Sequence, residues 1–237
     1  MLVRLCITLL ALILLPVGSA VAATSGYFQD WNDAGSDNWI GVVGTNTTSW
    51  QASGGNDGGY LRTTQDPAED AFDTGARAIA SLPDLIGDYT DAYWAMTFDI
   101  ILEEGQLDAS MMRLRGVSPL AGWVRDLSTL PALGAWTSVV VTIDGDWTEA
   151  EARANGWVPD AEHPLLAFDQ TASLSWEETV ANVRALSVRL SGESEILTSG
   201  IDNFRLESIT RPVPEPSTAV LFGLGLIGLA RGRRSER

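Results

Sequence analysis

Apolar and polar residues alternate along several segments of this 237-residue chain. A two-residue period of this kind predicts β-strands that bury one face. Residues 93–102 show it most clearly, and their apolar face is formed by Trp94, Met96, Phe98, Ile100 and Leu102. Residues 136–143, 186–191 and 201–209 repeat the pattern, with the inward positions Val139, Val141, Ile143, Leu186, Val188, Leu190, Asp202, Phe204 and Leu206.

Turn-forming residues separate these segments at 54–59, 87–88, 144–145 and 191–192. One helix is predicted, because Ser175 can cap its first turn and Glu178, three residues later, completes a capping box. Its apolar side would continue through Val180, Val183 and Leu186 at helical spacing. Many short strands and one short helix predict an all-β fold, an antiparallel β-sandwich.

The first 23 residues have the layout of a secretory signal peptide. Arg4 is followed by the apolar stretch 5–15, then by Pro16 and a run of small residues that ends at Ala23. Signal peptidase is therefore the expected first partner, and export across the inner membrane is expected. The only cysteine, Cys6, lies in this leader, so the exported chain has no disulfide, reactive thiol or cysteine zinc site.

The C-terminal residues 211–237 form a second three-part segment. Pro214, Glu215 and Pro216 precede the apolar residues 218–230, and the arginine-rich residues 231–237 close the chain. As a helix the apolar run would reach about 20 Å, short of the roughly 30 Å hydrocarbon core of a membrane. The terminal arginines would stay in the cytoplasm, leaving the rest of the chain outside.

This tail resembles the PEP-CTERM sorting signal of Gram-negative, exopolysaccharide-making bacteria. The resemblance implies that a short transmembrane helix holds the protein until a membrane-embedded exosortase recognises Pro214, Glu215 and Pro216 and cleaves the chain. The alternative is an ordinary C-terminal anchor that contains the three residues by chance.

Residues 24–210 have the length of a single domain with a full core. They carry 29 acidic residues and 9 arginines, and the whole chain has a net charge of −16. This surface repels phosphate backbones, so nucleic acid is not an expected partner. It keeps an exported protein soluble and attracts divalent cations.

Five stretches of this domain resemble, in order, the laminin domain IV (laminin B) family: residues 49–66, 82–102, 139–147, 175–194 and 201–208. The family implies a jelly-roll sandwich similar to galactose-binding domains and carbohydrate-binding modules. It brings no catalytic residues and implies extracellular adhesion or contact with glycans. Cysteine-rich EGF-like repeats do not flank the domain here, so a role in laminin networks is not implied.

No catalytic motif stands out, and we expect no enzymatic activity. A nucleophile triad needs a histidine, and the only one, His163, precedes Pro164 in a predicted loop where solvent would surround it. Glycoside hydrolysis needs only two carboxylates, a condition that an acidic chain meets by accident. A secreted polysaccharide-active enzyme, either a glycoside hydrolase or a lyase, is therefore the alternative.

The nine tryptophans are better candidates for function, because indole faces stack on apolar ligand surfaces. Trp94 shares the inward face of its strand and is expected in the core. Trp136 falls on the outward side of its strand, and three others lie near turns. The predicted ligand-contacting residues are Trp123, Trp136, Trp147 and Trp157.

Asp202 presents a different problem, since a carboxylate on an inward face is costly unless it is hydrogen-bonded or bound to metal. One interpretation is a structural calcium ion held by Asp202 and Asp30 between the last and first strands. The other is that backbone amides satisfy Asp202. Together these patterns predict an exported protein of the cell surface or extracellular matrix, with a non-catalytic sandwich that associates with exopolysaccharide or biofilm.

Overall fold

Strands hydrogen-bond edge to edge to form sheets, and two sheets pack so that each covers the apolar face of the other. The computed structural model describes residues 22–35, 37–41, 46–65, 73–78, 82–116, 121–166, 173–192 and 196–210, with the backbone alone for residues 73–78. Within these residues the strands form two sheets of six strands each, and every pairing between named strands is antiparallel. The fold is an all-β jelly-roll sandwich, as the sequence predicts.

The first sheet contains β3 (Thr47–Gly55), β4 (Gly58–Thr64), β12 (Thr198–Ile209), β6 (Tyr93–Glu104) and β9 (Thr137–Asp144) in this order, with β1 (Tyr27–Gln29) also paired to β12. The second sheet contains β10 (Trp157–Pro159), β8 (Gly122–Asp126), β7 (Leu107–Arg115), β11 (Ala185–Gly192), β5 (Asp73–Ala78) and β2 (Ile40–Gly41) in this order. Both sheets therefore mix strands from distant parts of the chain.

The core lies between the sheets and uses the predicted strand faces. The residues on these faces that are at most 5% exposed are Trp94, Met96, Phe98, Ile100, Leu102, Val141, Ile143, Leu186, Val188, Leu190, Phe204 and Leu206. Phe204 lies at the centre, where it stacks on Phe98 with ring centroids 5.7 Å apart and meets Trp39 edge-on at 5.0 Å. The alternation therefore predicted the buried faces of β6, β9 and β11 correctly, and that of β12 at Phe204 and Leu206.

A β-bulge in β12 reverses the predicted direction of Asp202. The pairing with β6 shifts by one residue between Asp202 and Arg205, and Asn203 has a φ of 50°. Asp202 pairs directly with Asp99, which lies between two core-facing residues of β6. Because directly paired residues share a face, both carboxylates lie on the outer face of the first sheet. The inward position predicted for Asp202 is wrong.

Two short α-helices occur in the described residues where the sequence predicted one. The predicted capping box is present, since Ser175 and Glu178 bond to each other's backbone amide at the start of α2 (Trp176–Val180). The helix ends earlier than predicted, because Val183 exchanges two backbone hydrogen bonds with Gly87 and residue 185 begins β11. The other helix, α1 (Glu149–Ala154), has its own capping box between Thr148 and Glu151.

Several predicted segments lie outside the described residues. They are most of the leader, the motif at 214–216, the apolar run 218–230 and the arginine-rich end 231–237. The division of the chain at residues 23 and 210 stays a prediction. Among the described helices, none has the length and apolarity needed to cross a bilayer.

Replacing Phe204 by Ala should lower the free energy of unfolding by about 3–5 kcal/mol, because the change leaves a cavity at the centre of the aromatic core. Phe28 is the matched control, since it is 43% exposed on the neighbouring strand. Phe28→Ala should cost about 1 kcal/mol or less. Urea denaturation measures both variants, and equal losses would contradict the assignment of the two faces.

Candidate functional site

Four tryptophans meet at one end of the sandwich, around Trp176. The ring centroid of Trp176 lies 5.3 Å from that of Trp123, 5.4 Å from that of Trp157 and 5.9 Å from that of Trp147. We call these four residues the tryptophan cluster. Three of the four tryptophans predicted from the sequence therefore belong to one structure, together with Trp176, which was not predicted as a site residue.

Trp123 and Trp157 are fully buried, so their predicted role as ligand contacts is wrong. Trp123 pairs with the core residue Leu114, and its indole N–H donates to the carbonyl of Leu174 at 2.9 Å. The indole N–H of Trp157 donates to the carbonyl of Thr142 at 3.1 Å. A position beside a turn does not give exposure here, because both rings pack against Trp176.

Trp147 is the half-buried member of the cluster, and it reaches a cleft of about 710 Å³. We call this the Trp147 cleft, and its lining residues are Thr90, Gly145, Asp146, Trp147, Thr148, Glu149, Ser175 and Glu177. The ring of Trp147 is held edge-on by Tyr93, with centroids 6.1 Å apart, and from another side by Trp176. An aromatic ring at this position is fixed before any ligand arrives.

Local sequence explains the shape of the cleft. Asp144 ends β9, and its carbonyl accepts hydrogen bonds from the indole of Trp176 and the backbone N–H of Trp147, at 3.1 and 3.2 Å. Gly145 is required because a Cβ atom there would lie 2.3 Å from the Cα atom of Thr90. The turn after β9 and the first turns of both helices thereby meet around one opening.

The lining has a distinct chemistry: one indole, three hydroxyl residues and three carboxylates. Its carboxylates belong to Asp146, Glu149 and Glu177, all exposed to solvent. The hydroxyls of Thr90, Thr148 and Ser175 already donate to carboxylates outside the lining. The exposed carboxylates therefore supply the hydrogen-bond acceptors of the cleft, and the indole supplies an apolar face. The volume of the cleft falls within the range of about 300–1,000 Å³ that is typical of small-ligand sites, but its lining is more polar than that of most such sites.

Trp136 lies elsewhere, at the start of β9, and is half-buried. Its indole N–H donates to the carbonyl of Gly54 at 3.0 Å, and its ring meets Tyr60 edge-on with centroids 5.5 Å apart. Tyr60 in turn donates a hydrogen bond to Glu103. Trp136 remains a predicted ligand contact, although its polar edge is already used to hold the turn between β3 and β4.

The outer-face carboxylates form a closed hydrogen-bond network with two asparagines, which we call the carboxylate network. Asn56 donates its backbone N–H to Asp202 at 2.8 Å and its side-chain amide to Asp99 at 2.9 Å. Asn203 likewise donates its backbone N–H to Asp202 at 2.7 Å and its side-chain amide to Asp99 at 2.9 Å. Ser138 also donates to Asp99. The network fastens the turn between β3 and β4 to the middle of the first sheet.

The surroundings of Asp202 raise its pKa above the ordinary value. Burial is the largest cause and raises the pKa. Hydrogen bonds from the backbone amides of Asn203, Asp57 and Asn56 lower it, and the nearby negative charge of Asp99 raises it further. Backbone amides therefore satisfy this carboxylate, as one of the two sequence interpretations expects.

Asp30 accepts hydrogen bonds from Asn32, whose side chain accepts the backbone N–H of Gly59 in the same β3–β4 turn. No group of three or more histidines, cysteines or acids suited to a metal occurs in the part of the chain that the structure describes. A calcium ion at Asp30 and Asp202 stays a prediction.

His163 also departs from expectation, since it is 4% exposed and not surrounded by solvent. Its Nε2 lies 3.1 Å from a carboxylate oxygen of Asp126, and its Nδ1 accepts the backbone N–H of Leu165 at 3.3 Å. Both ring nitrogens are thus occupied by structural contacts.

A family model of the PEP-CTERM protein-sorting motif matches residues 212–234. The chain carries a PEP-CTERM sorting signal. This signal marks an exported protein that an exosortase processes. Among curated proteins, none matches the chain.

Solved structures resemble this protein in fold. An exo-β-agarase has a TM-score of 0.51 at 15% identity, over 79% of this chain and 25% of the agarase. The CBM22-1 xylan-binding domain of Paenibacillus barcinonensis Xyn10C has a TM-score of 0.47 at 12% identity, over 81% of this chain and 100% of that domain. The family 11 carbohydrate-binding module of Clostridium thermocellum Lic26A-Cel5E has a TM-score of 0.48 at 13% identity, over 81% of this chain and 100% of that module. Identities this low concern the fold alone.

Asp202→Asn should destabilise the protein by about 1–3 kcal/mol, because an amide cannot accept all the backbone N–H groups that now bond to the carboxylate. Since the folded pKa of Asp202 is raised, the folded state holds more protons than the unfolded state above about pH 4. The advantage of the wild type over Asp202→Asn should therefore fall as the pH rises from about 4 and then level off.

Urea denaturation across this pH range measures the effect, with the exposed Asp108→Asn as the control. If the stability advantage of the wild type over Asp202→Asn grew as the pH rises, the hydrogen bonds from the backbone amides would lower the pKa of Asp202 by more than burial raises it. If a chelator lowers the melting temperature of the wild type but not of Asp202→Asn, a bound calcium ion is the better account of this residue.

Proposed function

We propose that this protein is an exosortase-processed protein of the cell surface or extracellular matrix whose β-sandwich binds polysaccharide without cleaving it. The Trp147 cleft carries this proposal, because it combines an indole held by two neighbouring rings with three exposed carboxylates in a space of ligand size. Sugar rings present apolar C–H faces and polar hydroxyl edges, and the cleft offers a partner for each.

The polar groups of the cleft support binding more than hydrolysis. A glycosidase needs one carboxylic acid that its surroundings keep protonated, usually by burial against apolar groups. Asp146, Glu149 and Glu177 are all exposed to solvent. Asp99 and Asp202 are buried, but asparagine and backbone amides already bond to their oxygens. A polysaccharide-active enzyme is the second candidate, since the cleft does hold carboxylates.

The sorting signal supports the rest of the proposal. A protein released or displayed by an exosortase in a Gram-negative, exopolysaccharide-making bacterium meets polysaccharide and biofilm matrix as its first surroundings. The order of the laminin-IV-like stretches supports an adhesive or glycan-binding role for the same domain. No nucleic acid is expected as a partner, because the net charge is −16.

Glu215→Ala should block processing, so that a larger, membrane-retained form accumulates in a host with the exosortase. Intact-mass measurement of surface protein should find a wild-type chain without Arg237. Glu207→Ala, which changes an exposed carboxylate of β12, is the control and should be processed normally. Surface protein that still ends at Arg237 would contradict exosortase cleavage, and indifference to Glu215→Ala would favour an ordinary anchor.

Trp147→Ala should weaken retention on polysaccharide about fivefold, since a stacked aromatic ring contributes on the order of 1 kcal/mol beyond its buried area. A glycan array with the purified protein first identifies oligosaccharides that bind, and titration calorimetry then compares the variants. Trp136→Ala is the comparison variant, because Trp136 is the other half-buried tryptophan predicted to contact ligand and it lies outside the Trp147 cleft.

A reducing-end assay on the same oligosaccharides separates the two candidate functions. Binding without new reducing ends supports the binding module, and their release supports the enzyme. A loss of binding in Trp136→Ala alone would move the site to the outer face of the first sheet.

A further inference from the structure

We propose that the Trp147 cleft prefers polysaccharides that carry cationic amino sugars, meaning sugars with a free, protonated amine, over neutral and anionic ones. This inference rests on the proposed polysaccharide binding and adds the class of sugar. Its basis is the sign of the charge around the one indole that reaches the cleft.

Carboxylates from two separate parts of the chain line the Trp147 cleft. Asp146 and Glu149 belong to the turn that follows β9 and to the first turn of α1, while Glu177 belongs to the first turn of α2. No lysine, arginine or histidine is among the lining residues of the cleft. Acids in the first turn of a helix are common, because they complement the helix dipole. The informative feature is that two such turns open onto one cleft beside a half-buried indole.

Both components of this lining attract cations. An ammonium group within hydrogen-bonding reach of an exposed carboxylate gains a modest, salt-dependent ion pair. An ammonium group over an indole gains a further cation–π attraction, which is strongest for tryptophan among the aromatic residues. A sugar whose C2 hydroxyl is replaced by a protonated amine therefore gains from the carboxylates and from Trp147 at once.

Anionic polysaccharides meet the opposite condition. A uronate carboxylate in the cleft would lie near three carboxylates and on a chain of net charge −16. Arg153, which follows on α1, is engaged with Glu162 at 2.7 and 2.8 Å and covers the ring of Trp123, so it does not line the cleft. The cleft thus disfavours polymers of uronic acids at low salt.

The test compares four oligosaccharides by titration calorimetry on the purified full chain: the β-1,4-linked glucosamine hexamer, its N-acetylated form, cellohexaose and an oligogalacturonate. Cellohexaose has the same backbone as the glucosamine hexamer with a neutral hydroxyl at C2. The glucosamine hexamer should bind about fivefold more tightly than cellohexaose, as expected for two exposed ion pairs. Raising the salt concentration should shrink this ratio, and oligogalacturonate should bind most weakly.

Glu149→Gln combined with Glu177→Gln should bring the ratio of the two affinities, glucosamine hexamer to cellohexaose, close to one, whatever the two substitutions do to the affinity for cellohexaose itself. The matched control is Glu104→Gln combined with Asp108→Asn, which removes the same charge from exposed positions at the far end of β6 and on β7. This control should keep the preference, and thermal melting should show that both double variants are folded.

The outcomes separate this inference from the proposed function. Equal affinity for the glucosamine hexamer and cellohexaose, with both lost in Trp147→Ala, overturns the charge preference and leaves polysaccharide binding standing. A preference that the control variant loses equally overturns it too, because bulk charge would then be the cause. Binding of none of the four would overturn both the inference and this cleft as the binding site.

Discussion

Packing around Trp176 holds together the end of the sandwich on which the candidate site depends. The indole of Trp176 contacts the rings of Trp123, Trp147 and Trp157, and its N–H bonds to the last carbonyl of β9. Helices of five and six residues are not stable by themselves in water. Their position therefore comes from tertiary contacts such as these, and their N-cap residues and first turns supply half of the residues that line the cleft.

The tryptophan cluster also explains why one ring is available to a ligand. Trp123 and Trp157 are covered completely, and their N–H groups bond to backbone carbonyls. Trp147 lies at the margin of the cluster, where Tyr93 and Trp176 fix two sides of its ring. A ring that is already immobile loses little conformational entropy on binding, which favours affinity from a small contact area.

Part of this arrangement was predictable from the sequence. The alternation from Trp94 to Leu102 gave the buried face of β6, and the spacing of Ser175 and Glu178 gave the start of α2, because both signals are local. The same spacing of Thr148 and Glu151 marks the start of α1, which was not among the predicted elements. The bulge at Asn203 was not predictable from a strict two-residue period, and one inserted residue was enough to move Asp202 to the other face.

The site itself was predictable only in part, because it is made by tertiary contacts. Its position near a turn predicts Trp147 as a ligand contact, but the same criterion also predicts Trp123 and Trp157, which are buried. Thr90, the turn around Gly145 and the start of α2 are distant in sequence and meet only in the fold. Trp147 differs from Trp123 and Trp157 in how far tertiary contacts cover its ring, and no local sequence pattern shows that coverage.

The negative charge of the protein limits which ligands the cleft can bind. A strongly acidic surface keeps the chain soluble, and it also repels the acidic polymers that bacterial matrices often contain. A binding site on such a surface must either neutralise its own acids or accept ligands that do not add negative charge. The carboxylate network takes the first course for Asp99 and Asp202, whose oxygens are occupied by amides. The Trp147 cleft leaves its acids exposed to solvent, and this difference supports a structural role for the network and the proposed recognition role for the cleft.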